Sequence, residues 1–236
     1  MVHNVPVGTS WAFVRQTIFA TAQPVVDSSA LREAYALPNG FTDPMLLEHG
    51  IADETIPVGP EQYLELLSPT GDASPLHRWL GRRGGSGGYG VAVQVPEMAP
   101  IRARATERGV DILIEEMAFG HPIMQLSPRQ CGTLLDLDEM PDRAQWFWDD
   151  ITPGPSPSAL VDRVVEIEIG VTEPAVTAAL WAYLLDVDQP TDTSVEVGTR
   201  ITFVPQTSGG IQTVTLRSNA PVADIERLGT TFRHVA

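Results

Sequence analysis

The sequence predicts an α+β fold of paired βαβββ modules, in which one strand leads into a helix and then into further strands. Three observations point there. Apolar and polar residues alternate with period two in several separate stretches, and helical patterns follow them. The strand–helix–strand order recurs along the chain. Two breaker-rich segments separate the recurrences.

The clearest copy spans residues 88–138. Val91, Val93 and Val95 alternate with Gly90, Ala92 and Gln94, as in a half-buried strand. A helix is expected over 98–108, closed by Gly109 in a left-handed cap. Strands are expected over 110–116, 121–126 and 133–138, with a turn at 128–132. In the last strand Leu135 and Leu137 share one face, and Leu134 and Asp136 the other.

An earlier copy spans 13–69. Its first strand is expected over 13–21, and Asp27 or Ser28 caps a helix through Leu31 and Tyr35. Its last strand, 63–67, sets Leu64 and Leu66 against Tyr63, Glu65 and Leu67. Residues 38–60 are rich in breakers, and the pattern does not place their strands.

A third copy begins at Val164. Val165, Ile167, Ile169 and Val171 alternate with Glu166, Glu168 and Gly170. Thr172 caps the next helix, with Pro174 in its first turn, where a missing N–H costs nothing. Trp181 and Leu184 continue the helix's apolar stripe, and 200–204 is a later strand. After Ser208-Gly209-Gly210 the pattern restarts with a strand at 211–217, a short helix near 223–228 and a strand at 231–234. This fourth copy reads as truncated after its second strand.

Two segments divide the units. Residues 82–88, Arg-Arg-Gly-Gly-Ser-Gly-Gly, lack both the P-loop lysine and the Rossmann spacing, and read as an inter-module linker rather than a phosphate cradle. Residues 141–158 end in a Pro/Ser run and mark a domain boundary, giving units at 10–140 and 159–236. Trp146, Phe147 and Trp148 just before that run either fold back onto apolar surface or form a ligand-facing lid.

Composition excludes several classes of function. The net charge of −15 repels nucleic acid and anionic membrane surfaces. All 15 basic residues are Arg, so lysine Schiff-base chemistry is out. The single cysteine, Cys131, forbids an intrachain disulfide and a Cys-rich zinc site. Residues 1–11 do not read as a signal peptide, and no apolar stretch approaches the roughly 20 residues a spanning helix needs. A soluble, cytoplasmic protein is expected.

Three stretches, Tyr63 to Pro69, Gly88 to Glu97 and Gly132 to Asp138, taken in order and spacing, resemble the vicinal-oxygen-chelate superfamily of glyoxalase-like proteins. The loop Ala118-Phe119-Gly120-His121 is also similar to inter-strand loops of that family. The resemblance implies that two modules close into a cupped eight-stranded sheet, with helices on the convex face and the ligand in the hollow. It implies a homodimer, and it implies metal ligands on the first and last strands of each module. Carried over by position, these are Gln16, Glu65, Gly90 and Asp136. Gln16, Glu65 and Asp136 offer oxygen donors to one divalent metal ion; Gly90 has no side chain to offer. The second pair of modules, lacking its last strands, would need a second copy of the chain to complete its cup.

The resemblance also implies that Glu65 and Asp136 face each other across the hollow. Such a pair suits acid/base transfer next to a carbonyl, while sheet residues in a wet cleft are the competing reading. His121 is the candidate auxiliary proton carrier or a structural histidine. Gln94, Tyr63 and Arg129 are candidate substrate contacts, although an exposed Arg is the default for Arg129 and for Arg15. Two functions follow as expectations: a lyase or isomerase acting on a small molecule, or a non-catalytic protein that sequesters a metabolite.

Overall fold

The computed structural model describes residues 11–148 and 156–236. The expectations for the first ten residues, and for residues 153–155 of the Pro/Ser run, fall outside that range. In chain order the elements are β1 (Phe13–Ala20), α1 (Pro24–Tyr35), α2 (Pro44–Glu48), β2 (Ile51–Val58), β3 (Gln62–Pro69), α3 (Pro75–Arg83), β4 (Gly87–Val95), α4 (Ala99–Arg108), β5 (Ile112–Ala118), β6 (His121–Leu126), α5 (Pro128–Cys131) and β7 (Leu134–Glu139). The second half supplies β8 (Val161–Val171), α6 (Pro174–Leu185), β9 (Ser194–Glu196), β10 (Arg200–Pro205), β11 (Gly210–Ser218), β12 (Ile225–Arg227) and β13 (Thr230–Val235). No helix among the described residues is long and apolar enough to cross a membrane.

The fold is α+β, with two cupped mixed sheets. The first runs β2-β3-β1-β4-β7-β6-β5 and the second β12-β13-β11-β8-β10-β9. In the first sheet β1 pairs with β3 in parallel, β4 pairs with β7 in parallel, and β1 and β4 join the two modules as an antiparallel seam. The second sheet repeats this plan around β8 and β11, with β8–β10 and β11–β13 parallel.

Period-two alternation decides which way each strand faces. Leu64, Leu66, Val91, Val93, Leu135 and Leu137 point to the helix-bearing side and join Leu31, Tyr35, Ile101 and Ala105 in one core. That core continues into the second sheet through Ile167, Ile169, Val214 and Trp181. Buried side-chain bonds fasten the two halves together. Gln62 Nε2 donates to Thr199 Oγ1 at 2.8 Å, Gln62 Oε1 accepts from the Val164 amide at 2.9 Å, and Trp181 Nε1 donates to the Cys131 carbonyl at 3.1 Å. At the contact of β4 with β11 a Cβ on Gly88 would lie 2.2 Å from Ile211 Cβ, so only glycine allows these strands to approach.

Several sequence expectations are corrected. The first sheet has seven strands, not eight. In the first module the strand after α1 is reduced to a single bridge, Phe41 with Thr55, because Pro38 and Gly40 break the ladder. Helix α1 starts at Pro24 rather than being capped by Asp27 or Ser28, since proline suits a first helical position. Asp27 instead accepts a hydrogen bond from Thr21 Oγ1 at 2.5 Å. Only Gly84, Gly85 and Ser86 of the linker expected at 82–88 are loop, because α3 runs to Arg83 and β4 starts at Gly87.

The fourth module is truncated, but it lacks its helix and one strand rather than everything after its second strand. Where a helix was expected near 223–228, the hairpin of β12 and β13 stands instead. A helix and the strand after it form an out-and-back excursion, so omitting both leaves the chain running in the same direction. The last strand β13 therefore still lies parallel to β11, and no second copy of the chain is needed to supply it.

Candidate active site

The face of the first sheet turned away from the shared core is covered at both ends. At one end Leu76 and Leu80 of α3 pack on Ile18, Ala20, Leu67 and Ala92. At the other, Trp146 and Trp148 pack with Tyr63, Met140 and Phe41. The Trp-Phe-Trp segment thus folds back over the end of the hollow. A polar stripe of Gln16, Glu65, Asp136 and Asp138 lies between the two covers.

Strand register sets the spacing of that stripe. One row across the sheet reads Tyr63, Gln16, Ala92, Asp136, Gln125, and the next reads Glu65, Ile18, Gly90, Leu134. Gln16 and Asp136 are two strands apart, about 10 Å at the usual spacing between neighbouring strands. The small residues Gly90 and Ala92 on the central strand keep the floor low between them. Gln16 Nε2 donates to Glu65 Oε2 at 3.1 Å. Gln125 Nε2 donates to Asp136 Oδ2 at 3.3 Å, while Asp136 Oδ1 is buried without a hydrogen-bond partner.

Burial and mutual repulsion hold these carboxyls protonated far above their ordinary range. Glu65 is raised well above it, first by burial and then by the negative charges of Asp53, Asp136 and Asp43. Asp138 is raised well above it by burial, then by Asp136 and Glu65. Asp136 is pushed up to about 7 by burial, against the stabilising hydrogen bond from Gln125. Asp53 reaches about 6, also chiefly through burial. Near neutral pH the stripe therefore holds fewer negative charges than carboxyl groups, so it can both release and accept protons.

His121 opens β6, half-buried, with its ring 5.7 Å from that of Phe147 in an edge contact. Tyr63 is buried under the aromatic cover, its ring edge-on to Phe41 at 6.4 Å. Gln94 is fully buried. Its Oε1 accepts from Arg15 Nε at 2.7 Å, and its Nε2 donates to the carbonyls of Met140, Asp142 and Gln145. Gln94 is thus committed to anchoring the covering segment. Arg15, expected at the surface, is 3% exposed, and it binds the carbonyls of Glu61 and Arg143 as well as Gln94. Arg129 lies outside the stripe, exposed on α5 and paired with Asp111 at 2.6 Å.

The donors do not match a four-ligand metal centre. A Cβ at Gly90 would lie 3.0 Å from Leu134 Cβ, so Leu134 closes the corner of the fourth ligand. The Gln16 amide nitrogen, not its oxygen, is turned to Glu65. Among the described residues no group of three or more His, Cys, Asp or Glu side chains is placed to hold a metal ion.

Asp138 was missed as a member of the stripe. Its two-residue spacing from Asp136 on one strand was the signal, because period two puts both on one face. Helix α3 was missed as well, although Ser74-Pro75 with Leu76, Trp79 and Leu80 carries a helix start and a helical spacing.

Comparison with known proteins agrees with this architecture. The mitochondrial methylmalonyl-CoA epimerase of Bos taurus is 28% identical over 132 residues, covering 54% of this chain and 75% of the epimerase. A crystal structure of a hypothetical protein from Staphylococcus aureus superposes with a TM-score of 0.69 at 10% identity, covering 95% of this chain and 99% of that one. A Streptomyces coelicolor methylmalonyl-CoA epimerase variant in complex with 2-nitronate-propionyl-CoA matches at a TM-score of 0.50 and 22% identity, over 56% of this chain and all of that one. No family model matches the chain.

Proposed function

We propose, for a chain that carries the glyoxalase-like fold of the vicinal-oxygen-chelate superfamily, that its first sheet serves an isomerase-type enzyme moving a proton beside the carbonyl of a small acyl compound. The observation that carries this reading is the buried stripe of Glu65, Asp136 and Asp138 on one face of one sheet, flanked by apolar covers. Proton abstraction next to a carbonyl needs a base whose conjugate acid titrates near the working pH, and a donor for the oxygen that gains charge. In this reading one carboxyl of the stripe takes the proton, and a second, still protonated, donates to the carbonyl oxygen. Delivery of a proton to the opposite side of the carbanion by another protonated carboxyl of the stripe inverts the centre, while the first carboxyl keeps the proton it took. Gln16 holds Glu65 in position through its amide, and the covers keep out water that would quench the carbanion. No step is routed through a metal, because the donor set does not fit one.

The substrate class we assign is an acyl thioester carrying an α-hydrogen. The relatives named as methylmalonyl-CoA epimerases support it, as does the absence of any lysine for imine chemistry. The test is wash-in of solvent deuterium at the α-carbon of methylmalonyl-CoA and propionyl-CoA, followed by mass spectrometry with purified protein in D2O. Enzyme-dependent exchange supports the proposal, and its absence with both compounds refutes it. A second reading, a metabolite-sequestering protein, is favoured by the Leu134 side chain in the fourth ligand position. It predicts saturable binding of the thioester without exchange. The homodimer expected from the resemblance belongs to this proposal too, and sedimentation tests it.

A further inference from the structure

The two glycine-rich segments at 82–88 and 208–210 meet in space. Arg83 Nη1 donates to the carbonyls of Ser208 at 2.9 Å and Gly209 at 2.5 Å, and the Gly210 amide donates to Gly132 O at 3.0 Å. Beside this junction lies a cavity of about 300 Å³ lined by Trp79, Arg82, Arg83, Tyr89 and Arg129, together with the backbone of 208–210. That volume is at the low end for ligand sites, enough for a phosphorylated ligand fragment. Three arginines converge here in a chain whose net charge is −15.

The lining groups have distinct tasks. Arg83 is fixed by its two carbonyl partners, and its guanidinium lies 5.8 Å from the Trp79 ring. Arg82 has no hydrogen bond or ion pair among the described residues and is exposed. Arg129 reaches from the far wall, its side chain 77% exposed while paired with Asp111. Trp79 meets Tyr89 edge-on at 5.3 Å, so the two form an aromatic wall. A slip in the register of β1 with β4 makes Tyr89 a bulged residue and turns it toward α3. Burial, and after it the charge of Asp136, raise the Tyr89 phenol above its usual range, so this wall adjoins the carboxyl stripe. Thr133, also in the lining, is three residues before Asp136, about 10 Å along an extended strand.

We propose that this cavity, built jointly by the two halves of the chain, binds the phosphorylated nucleotide end of the same ligand whose reactive carbon lies at Glu65 and Asp136. Arg82 and Arg129 take the phosphate oxygens, and Trp79 takes a face of the base or sugar. Guanidinium groups recognise phosphate by paired N–H donors, and an aromatic ring adds a sequence-independent stacking surface. The inference rests on the proposed thioester chemistry, since it supplies the handle of that substrate. It also gives the second half of the chain a task, because residues 208–210 form one wall of the cavity.

Calorimetric titration of the full chain with adenosine 3′,5′-bisphosphate, inorganic phosphate and adenosine tests the site. Saturable bisphosphate binding that weakens at least tenfold in Arg82→Glu and in Arg129→Glu, and weakens with added salt, is the expected result. No binding, binding unchanged in both variants, or inorganic phosphate binding as tightly as the bisphosphate would overturn it. Deuterium exchange separates this proposal from the catalytic one. If the cavity is right and the chemistry wrong, the bisphosphate binds while no thioester exchanges. If the chemistry is right and the cavity wrong, a propionyl thioester of N-acetylcysteamine, which lacks the nucleotide, exchanges with the same kcat/KM as propionyl-CoA.

Discussion

Gln16 and Glu65 lie on adjacent parallel strands of the first sheet, and the amide of the one donates to the carboxyl of the other at 3.1 Å. The bond holds a buried carboxyl against the central seam, where burial and neighbouring acids keep it from ionising readily. Glu65→Gln removes the titratable group while keeping a partner for Gln16. Deuterium exchange is expected to fall by about 100-fold or more, the usual worth of a positioned acid or base. Thioester affinity, read by calorimetry, should change little; an unchanged exchange rate would remove Glu65 from the mechanism.

The carboxyl stripe also sets how stability depends on pH. Folding raises Asp136 from its ordinary 3.8 to about 7. Between those values the folded state keeps a proton that the unfolded chain has lost, so stability falls as pH rises. Glu65 and Asp138 act in the same direction. The thermal midpoint is expected to drop as pH goes from 4 towards 7 through this stripe, and Asp136→Asn should flatten that drop and raise the midpoint near pH 7.5. A variant whose profile runs parallel to that of the parent would contradict the burial of Asp136.

Gln94→Ala deprives three carbonyls and the Arg15 guanidinium of a buried partner. A loss of about 2–4 kcal/mol is expected, from unsatisfied buried groups at roughly 1–3 kcal/mol each with partial relaxation. Chemical denaturation measures it. Tryptophan emission should shift to longer wavelength in the native variant as Trp146 and Trp148 lose their cover.

Gly90→Ala places a methyl 3.0 Å from Leu134 Cβ and 3.1 Å from its carbonyl. Overpacking of this kind costs about 1–3 kcal/mol. Gly90→Ala with Leu134→Gly, which removes that Cβ, should show a smaller loss than the two single changes added together, a coupling that a double-mutant cycle in urea would read.

Trp181 belongs to the second half, and its indole donates to the Cys131 carbonyl of the first. Trp181→Ala is expected to cost about 3–5 kcal/mol, the range for a buried aromatic. Because the core is shared, both halves should melt in one transition by calorimetry; two separated transitions would show that they fold independently.

Alternation with period two was legible without coordinates, and it placed Glu65 and Asp136 on one face, since a strand fixes the side of each residue regardless of its partners. Helix α3 carried readable start and spacing signals that the Arg-Gly run beside it obscured. The seven-stranded count and the hairpin in place of the last helix were not legible, because short strands form only when a neighbouring edge supplies their hydrogen bonds. Local pattern likewise gave Gln94, Arg15 and Arg129 as ligand contacts or surface charges. Tertiary packing instead made the first two the anchors of a cover and sent the third to a separate cavity. By itself the sequence determined the repeating strand–helix module, the acidic surface and the facing of each strand, all of which depend on near neighbours. Tertiary structure decided which buried acids share one environment and which arginines share one cavity, because those groupings join residues far apart along the chain.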